Sequence, residues 1–168
     1  MKQVAIIAKG RGWVDAPYNC ETWGITQLLI RRPVDLVIDM NVYEDLRWGK
    51  KEALENKMVM LMCKTSHIPY IGLNNYPLSE IMEQFDTDYF GGTIEYAIAL
   101  AIYRGYEVID LYGINFKLNS EYGYQKPSID FWCGVAKGRG IKIKSHGDSL
   151  IMKTIDGLIY GYDTEQKL

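Results

Sequence analysis

Apolar residues run along this chain in short, nearly unbroken stretches separated by glycine, proline or charged segments. Residues 3–8 (QVAIIA) are rich in β-branched side chains and run into glycines, the pattern of a strand buried on both faces of a parallel sheet. Residues 34–39 (VDLVID) repeat it after Pro33, and residues 58–63 (MVMLMC), 108–112 (VIDLY) and 141–144 (IKIK) supply three more candidate strands. Residues 21–25 (ETWGI) read equally as a short strand or as a helix start. Helical stretches lie between these runs. Residues 43–56 are charged, with Leu46 and Leu54 as apolar marks. Residues 93–104 (TIEYAIALAIYR) are apolar almost all round and stop before Gly105, and residues 127–137 open on Pro127 and stop at Gly138. This alternation predicts a single α/β, Rossmann-like domain with a mostly parallel central sheet, helices on both faces and a ligand pocket at the strand carboxyl ends.

Composition narrows the classes. The 168 residues are 48% apolar and 24% charged with a net charge of −2, ordinary for a globular protein and long enough for one sizeable core. Basic residues are scattered, densest at Lys50-Lys51 and over residues 137–144, so no duplex nucleic-acid surface is expected. Cys20, Cys63 and Cys133 are far apart and the histidines are only His67 and His146, which argues against a structural zinc site. No metal and no cofactor are expected. The first apolar run is too short for a signal-peptide core and no stretch is long enough to span a bilayer, so the expectation is a cytoplasmic protein with no membrane partner. Thirteen tyrosines and four tryptophans are the one oddity, and they suit either pocket lining or aromatic core filling.

The pentapeptide AKGRG occurs twice, at residues 8–12 and 136–140. The second copy ends a helix and leads into IKIK, so Gly138 and Gly140 read as a C-cap and a tight turn. The first follows a strand directly, where glycine lets a backbone approach a phosphate. Gly10, Arg11 and Gly12 are therefore candidate ligand residues, Arg11 as a bidentate donor. The third glycine of a dinucleotide fingerprint is missing and no P-loop motif occurs. Gly91, Gly92 and Thr93 open the apolar helix and offer free N–H groups, either to an anion or to an ordinary cap by Thr93. Asp39 and Asn41 close the second strand run, where a carboxylate can hold a ribose. Gly113 and Asn115 end the strand at residues 108–112, and Glu121, Tyr122 and Tyr124 follow it.

The segment FGGTIEYAIALAIYRGYEVIDLYGINF and the following SEYGYQ resemble the nucleotide-binding core of Campylobacter-type CMP-sialic-acid sialyltransferases. They are also similar to 6-hydroxymethylpterin diphosphokinase-like proteins and, most of all, to short uncharacterised phage-encoded proteins ending SEYAYQRPS. The resemblance covers residues 85–145 well and the first loop more loosely. It implies that Gly10, Gly12, Gly92, Thr93, Gly113 and Tyr122 line a nucleotide pocket. Two departures stand out: Lys9–Trp13 replaces the usual Pro-Ser of the first loop, and Asn115 stands where the family has Asp.

Two functions follow as expectations. One is a non-catalytic binder of a nucleotide-type small molecule, such as a phage protein sequestering a host signalling nucleotide. The other is a small glycosyltransferase-like enzyme using an activated nucleotide donor. There Tyr122 and Tyr124 would stabilise the leaving phosphate and His146 or Glu121 would serve as base. Homo-oligomers are compatible with the apolar tail at residues 157–162, which suits packing on a neighbour or back on its own sheet.

Overall fold

The computed structural model describes residues 1–43, 49–115, 124–154, 158–159 and 162. Six strands form one sheet: β1 (Gln3–Ile7), β2 (Glu21–Ile25), β3 (Leu36–Ile38), β4 (Tyr70–Ile71), β5 (Val108–Tyr112) and β6 (Lys142–Ser145). Their order is β4-β3-β2-β1-β5-β6 and every pairing is parallel. Among the described residues four α-helices accompany them: α1 (Lys50–Thr65), α2 (Leu78–Phe85), α3 (Thr93–Tyr103) and α4 (Lys126–Gly138). The expected Rossmann-like α/β fold is thus present, with a sheet that is parallel throughout.

The continuous apolar runs are explained by burial on both sides. In β1, Val4 and Ile6 point into a cluster with Trp23, Leu111 and the α3 and α4 side chains Ile98, Leu100, Ile129 and Trp132. Ala5 and Ile7 point the other way, onto Leu28, Val37 and the α1 residues Val59 and Cys63. Period-two side-chain alternation places successive residues on opposite faces, so a strand covered on both must be apolar at every position. Burying each large aliphatic side chain contributes about 1.5–3 kcal/mol.

Three expectations about elements change. Residues 58–63 are not a strand but the second half of α1. Met, Leu and Cys carry no strong β preference and Val59 is the one β-branched residue among them. The run also continues a charged segment without a glycine or proline break. The strand in that part of the chain is instead the two-residue β4, with α2 following, and both are too short to stand out in the apolar pattern. Residues 21–25 resolve as strand β2. At the second AKGRG, Gly138 is the last helical residue, Arg139 the cap and Gly140 the left-handed residue beyond it (φ 78).

Candidate functional site

In this strand order β1 leads outward through β2, β3 and β4 on one side, and β5 and β6 lie on the other. The switch point is therefore between β1 and β5. The chain leaving β1 turns toward the α1 face, where Trp13 and Ala16 join the apolar cluster, whereas the chain after β5 reaches α4 on the opposite face. Diverging connections at a switch point create the crevice in which open α/β sheets hold ligands.

At this switch point the chain packs backbone against backbone. Ala8 N–H donates to Tyr112 O at 2.9 Å and Gly10 N–H to Gly113 O at 2.8 Å. A Cβ on Gly10 would lie 2.4 Å from Gly113 O and 2.5 Å from Asn115 Oδ1, and one on Gly113 (φ 64) would lie 2.3 Å from Ala8 O. Both positions require glycine because two strand ends meet there. Asn115 Oδ1 is buried and has no hydrogen-bond partner among the described residues. Lys9 and Arg11 are exposed, and the Arg31 guanidinium donates to Lys9 O at 3.3 Å. Gly12 takes a left-handed conformation (φ 91). The buried Arg32 ties down the rest of the loop by donating to the carbonyls of Trp13, Ala16 and Pro17.

Asp39 and Asn41 lie at the carboxyl end of β3, on the same edge. Asp39 is buried and its oxygens already accept from the Asn41 backbone and side chain, the Tyr43 hydroxyl (2.6 Å) and the Asn56 amide (3.0 Å). Burial raises its pKa above the usual carboxylate value, the hydrogen bonds opposing this. Tyr43 also accepts from Gln27, and Gln27 accepts from Lys9 Nζ at 2.5 Å. A continuous polar chain thus links the first loop to β3, and Asp39 anchors it rather than presenting a free carboxylate.

The start of α3 is also at this edge, since Met40 N–H donates to Thr93 Oγ1 at 3.3 Å. The cap is Gly92, not Thr93, which is the first helical residue. Gln125 packs over Gly92, and its side chain would lie about 3 Å from any added Cβ. Glu95, fully buried, turns back on the helix start. It accepts from Ser128 Oγ at 2.5 Å and from the Gly91 backbone, and its second oxygen has no partner among the described residues. Desolvation pushes its pKa up to about 7. A carboxylate of the chain itself therefore occupies the anion-favouring end of α3.

His146 follows β6 directly. Its Nε2 pairs with Asp110 Oδ1 at 2.6 Å, Gln3 Nε2 donates to Asp110 Oδ2 at 2.9 Å, and Tyr112 stacks on the imidazole at 4.2 Å and 4°. The ring is fixed in plane and orientation. Tyr124 is exposed just before α4, while Glu121 and Tyr122 lie outside the described residues. In the tail, Leu158, Ile159 and Tyr162 are exposed, and residues 157, 160 and 161 lie outside the described set.

No family model and no curated protein sequence matches the chain. Among solved structures, the sialyltransferase CstII of Campylobacter jejuni with the substrate analogue CMP-3FNeuAc aligns over 86% of this chain and 80% of its own, at 15% identity and TM-score 0.43. The same enzyme with a trisaccharide acceptor and CMP aligns over the same shares at TM-score 0.45. The monofunctional α-2,3-sialyltransferase Cst-I of Campylobacter jejuni covers 86% of this chain and 75% of its own, at 10% identity and TM-score 0.42. The likeness is distant but spans most of the chain. It concerns overall shape, so the site rests on the geometry above.

Of the ligand residues expected from the sequence, Gly10, Arg11, Gly12, Asp39, Asn41, Gly91, Gly92, Thr93, Gly113 and Asn115 lie on the carboxyl edge, Tyr124 is exposed before α4, and Tyr122 lies outside the described residues. Sequence reasoning missed Lys9, Gln27, Glu95, Gln125, Asp110 and Tyr112. Asp110 carried a signal, being an acid inside an otherwise apolar central strand. Two open depressions, of about 470 and 120 Å³, lie at the opposite, amino edge around Tyr18, Cys20 and Asp35. Their acids are engaged, Glu21 by Trp23 and Tyr106 and Asp35 by Thr22, which leaves little to direct a ligand there. No cluster of His, Cys, Asp and Glu suited to a metal occurs among the described residues, and no helix there is long and apolar enough to cross a membrane.

Proposed function

We propose that the crevice between the ends of β1 and β5 binds a nucleotide or nucleotide-derived small molecule. The observation that carries this is the double-glycine contact at the switch point beside exposed Lys9 and Arg11. A phosphate group meets the first loop, with Arg11 as donor. The start of α3, already holding Glu95, receives a neutral part of the ligand, a ribose or base, rather than a second phosphate. Capture without turnover, as by a phage protein that sequesters a host signalling nucleotide, needs only these groups.

A second reading, transfer from an activated nucleotide donor, is favoured by one observation: the His146 imidazole is held by Asp110 and stacked on Tyr112 at the end of β5. An imidazole oriented through one nitrogen is the arrangement of a general base, with Asp110 as its positioning residue.

Native mass spectrometry with a panel of nucleotides, nucleotide sugars and cyclic nucleotides tests both readings. A ligand retained and released intact, and lost in Arg11→Ala, supports capture. A donor returned as free nucleotide supports transfer, and His146→Gln should then abolish turnover while binding persists. Retention of no panel member would defeat the nucleotide reading.

A further inference from the structure

The outward face of α1 does not behave as a solvent-facing helix surface. At 100° per residue, Val59, Cys63 and Asn56 form the stripe packed toward the sheet, and Leu54 and Leu61 lie diametrically opposite with Met58 beside them. These three residues, spaced i, i+4, i+7, are 68%, 44% and 61% exposed. Apolar side chains at that spacing form one continuous ridge. Lys50, Lys57 and Lys64 line one flank of the ridge, and Lys51 on the other pairs with Glu55 at 3.9 Å. The helix's two acids, Glu52 and Glu55, are half-buried on the core-ward side. Four lysines against two glutamates give α1 a charge of +2 within a chain of net charge −2.

We infer that α1 docks this protein peripherally onto an anionic lipid surface, with Leu54, Met58 and Leu61 entering the headgroup boundary and Lys50, Lys57 and Lys64 meeting lipid phosphates. Exposed apolar side chains in one row beside cationic ones suit the boundary of an anionic lipid layer. Lysine stems cover apolar surface while their ammonium groups reach outward, so a ridge with cationic flanks is matched to apolar interior below and negative charge at the rim. Packing two copies ridge to ridge would bring the uncompensated Lys50, Lys57 and Lys64 of each copy into the contact. That disfavours self-association through this face. The lack of a spanning helix is no obstacle, because the contact is interfacial. The inference is independent of the ligand reading.

Vesicle co-sedimentation of the full chain tests it. Binding is expected to phosphatidylglycerol-containing vesicles, about ten-fold weaker to pure phosphatidylcholine, and reduced by raised salt. Leu54→Ser with Leu61→Ser, and separately Lys57→Glu with Lys64→Glu, should each cut the bound fraction several-fold with the melting temperature unchanged, since neither pair packs in the core. Failure to bind anionic vesicles would overturn the inference, as would binding that both variants retain. So would a dimer in light scattering that the serine variant dissolves, which would assign the ridge to a second copy.

Discussion

Gly113 and Gly105 both hold positive φ, 64 and 73, yet their surroundings differ completely. A Cβ at Gly105 meets nothing within 4 Å, whereas one at Gly113 would strike Ala8 O at 2.3 Å. Gly105→Ala should therefore cost about 1 kcal/mol, the left-handed strain alone, and Gly113→Ala about 3 kcal/mol or more, because the two strand ends must part. Urea denaturation of the pair measures the difference. Glu95 gives a second prediction at this scale. Its folded pKa of about 7 lies above the ordinary 4.5, so the folded chain holds the proton more tightly than the unfolded one. Stability is then greatest below the unfolded value, falls as pH rises through the interval between the two, and levels off above the folded value. The full loss is on the order of 3 kcal/mol. Glu95→Gln, which keeps a neutral acceptor for Ser128, should flatten that slope in denaturation curves taken from pH 4.5 to 8. The glycines of the site were legible because a buried strand running straight into glycine marks a tight turn or a close approach of two backbones. Glu95 was not, because nothing in TIEYAIALAIY distinguishes an acid facing solvent from one folded back on its own helix start.

Helix ends, not helix interiors, carried the clearest message at the next scale. Gly105 and Gly140 each follow a cap residue. Each donates to the carbonyl three residues back, Gly105 to Ile102 and Gly140 to Lys137, while the residue beyond reaches further back, Tyr106 to Ala101 and Ile141 to Ala136. That double closure is the Schellman arrangement, and glycine announces it in the sequence. α1 ends in the same way, Ile68 N–H donating to Cys63 O, but its left-handed residue is His67 (φ 56). With no glycine to mark the stop, the end of α1 was invisible and its apolar second half read as a strand. His67→Gly should stabilise the protein by about 1 kcal/mol and Gly140→Ala destabilise it by a similar amount, both measurable as shifts in melting temperature. The lone His67 is thus a turn residue. The two AKGRG copies separate on the same ground, since one lies across a helix end and the other across a strand end.

Across the whole molecule, the strand order was the part that the sequence could not supply. Continuous apolar runs reveal burial on both faces, but not which strand neighbours which, and the candidate site depends on that order because Gly10 and Gly113 meet only where β1 and β5 adjoin. The polar chain from Lys9 through Gln27 and Tyr43 to Asp39 was hidden for the same reason, joining residues that only the sheet brings together. Amide hydrogen exchange should register this hierarchy, with the interior strands β1, β2, β3 and β5 slower than the edge strands β4 and β6, because only the former are paired on both sides. The order also has a consequence in time. β1 pairs on one side with β5, about 100 residues later in the chain, with Val4 opposite Ile109 and Ile6 opposite Leu111. Ribosomes add about 5–20 residues per second, so β1 waits some seconds with one edge bare and its four apolar residues unsealed. During that interval a nascent chain offers a neighbour on the same messenger the very ladder that β5 will later complete. Successful synthesis therefore favours spacing between ribosomes, or a chaperone at the exit tunnel, until residue 112 has emerged.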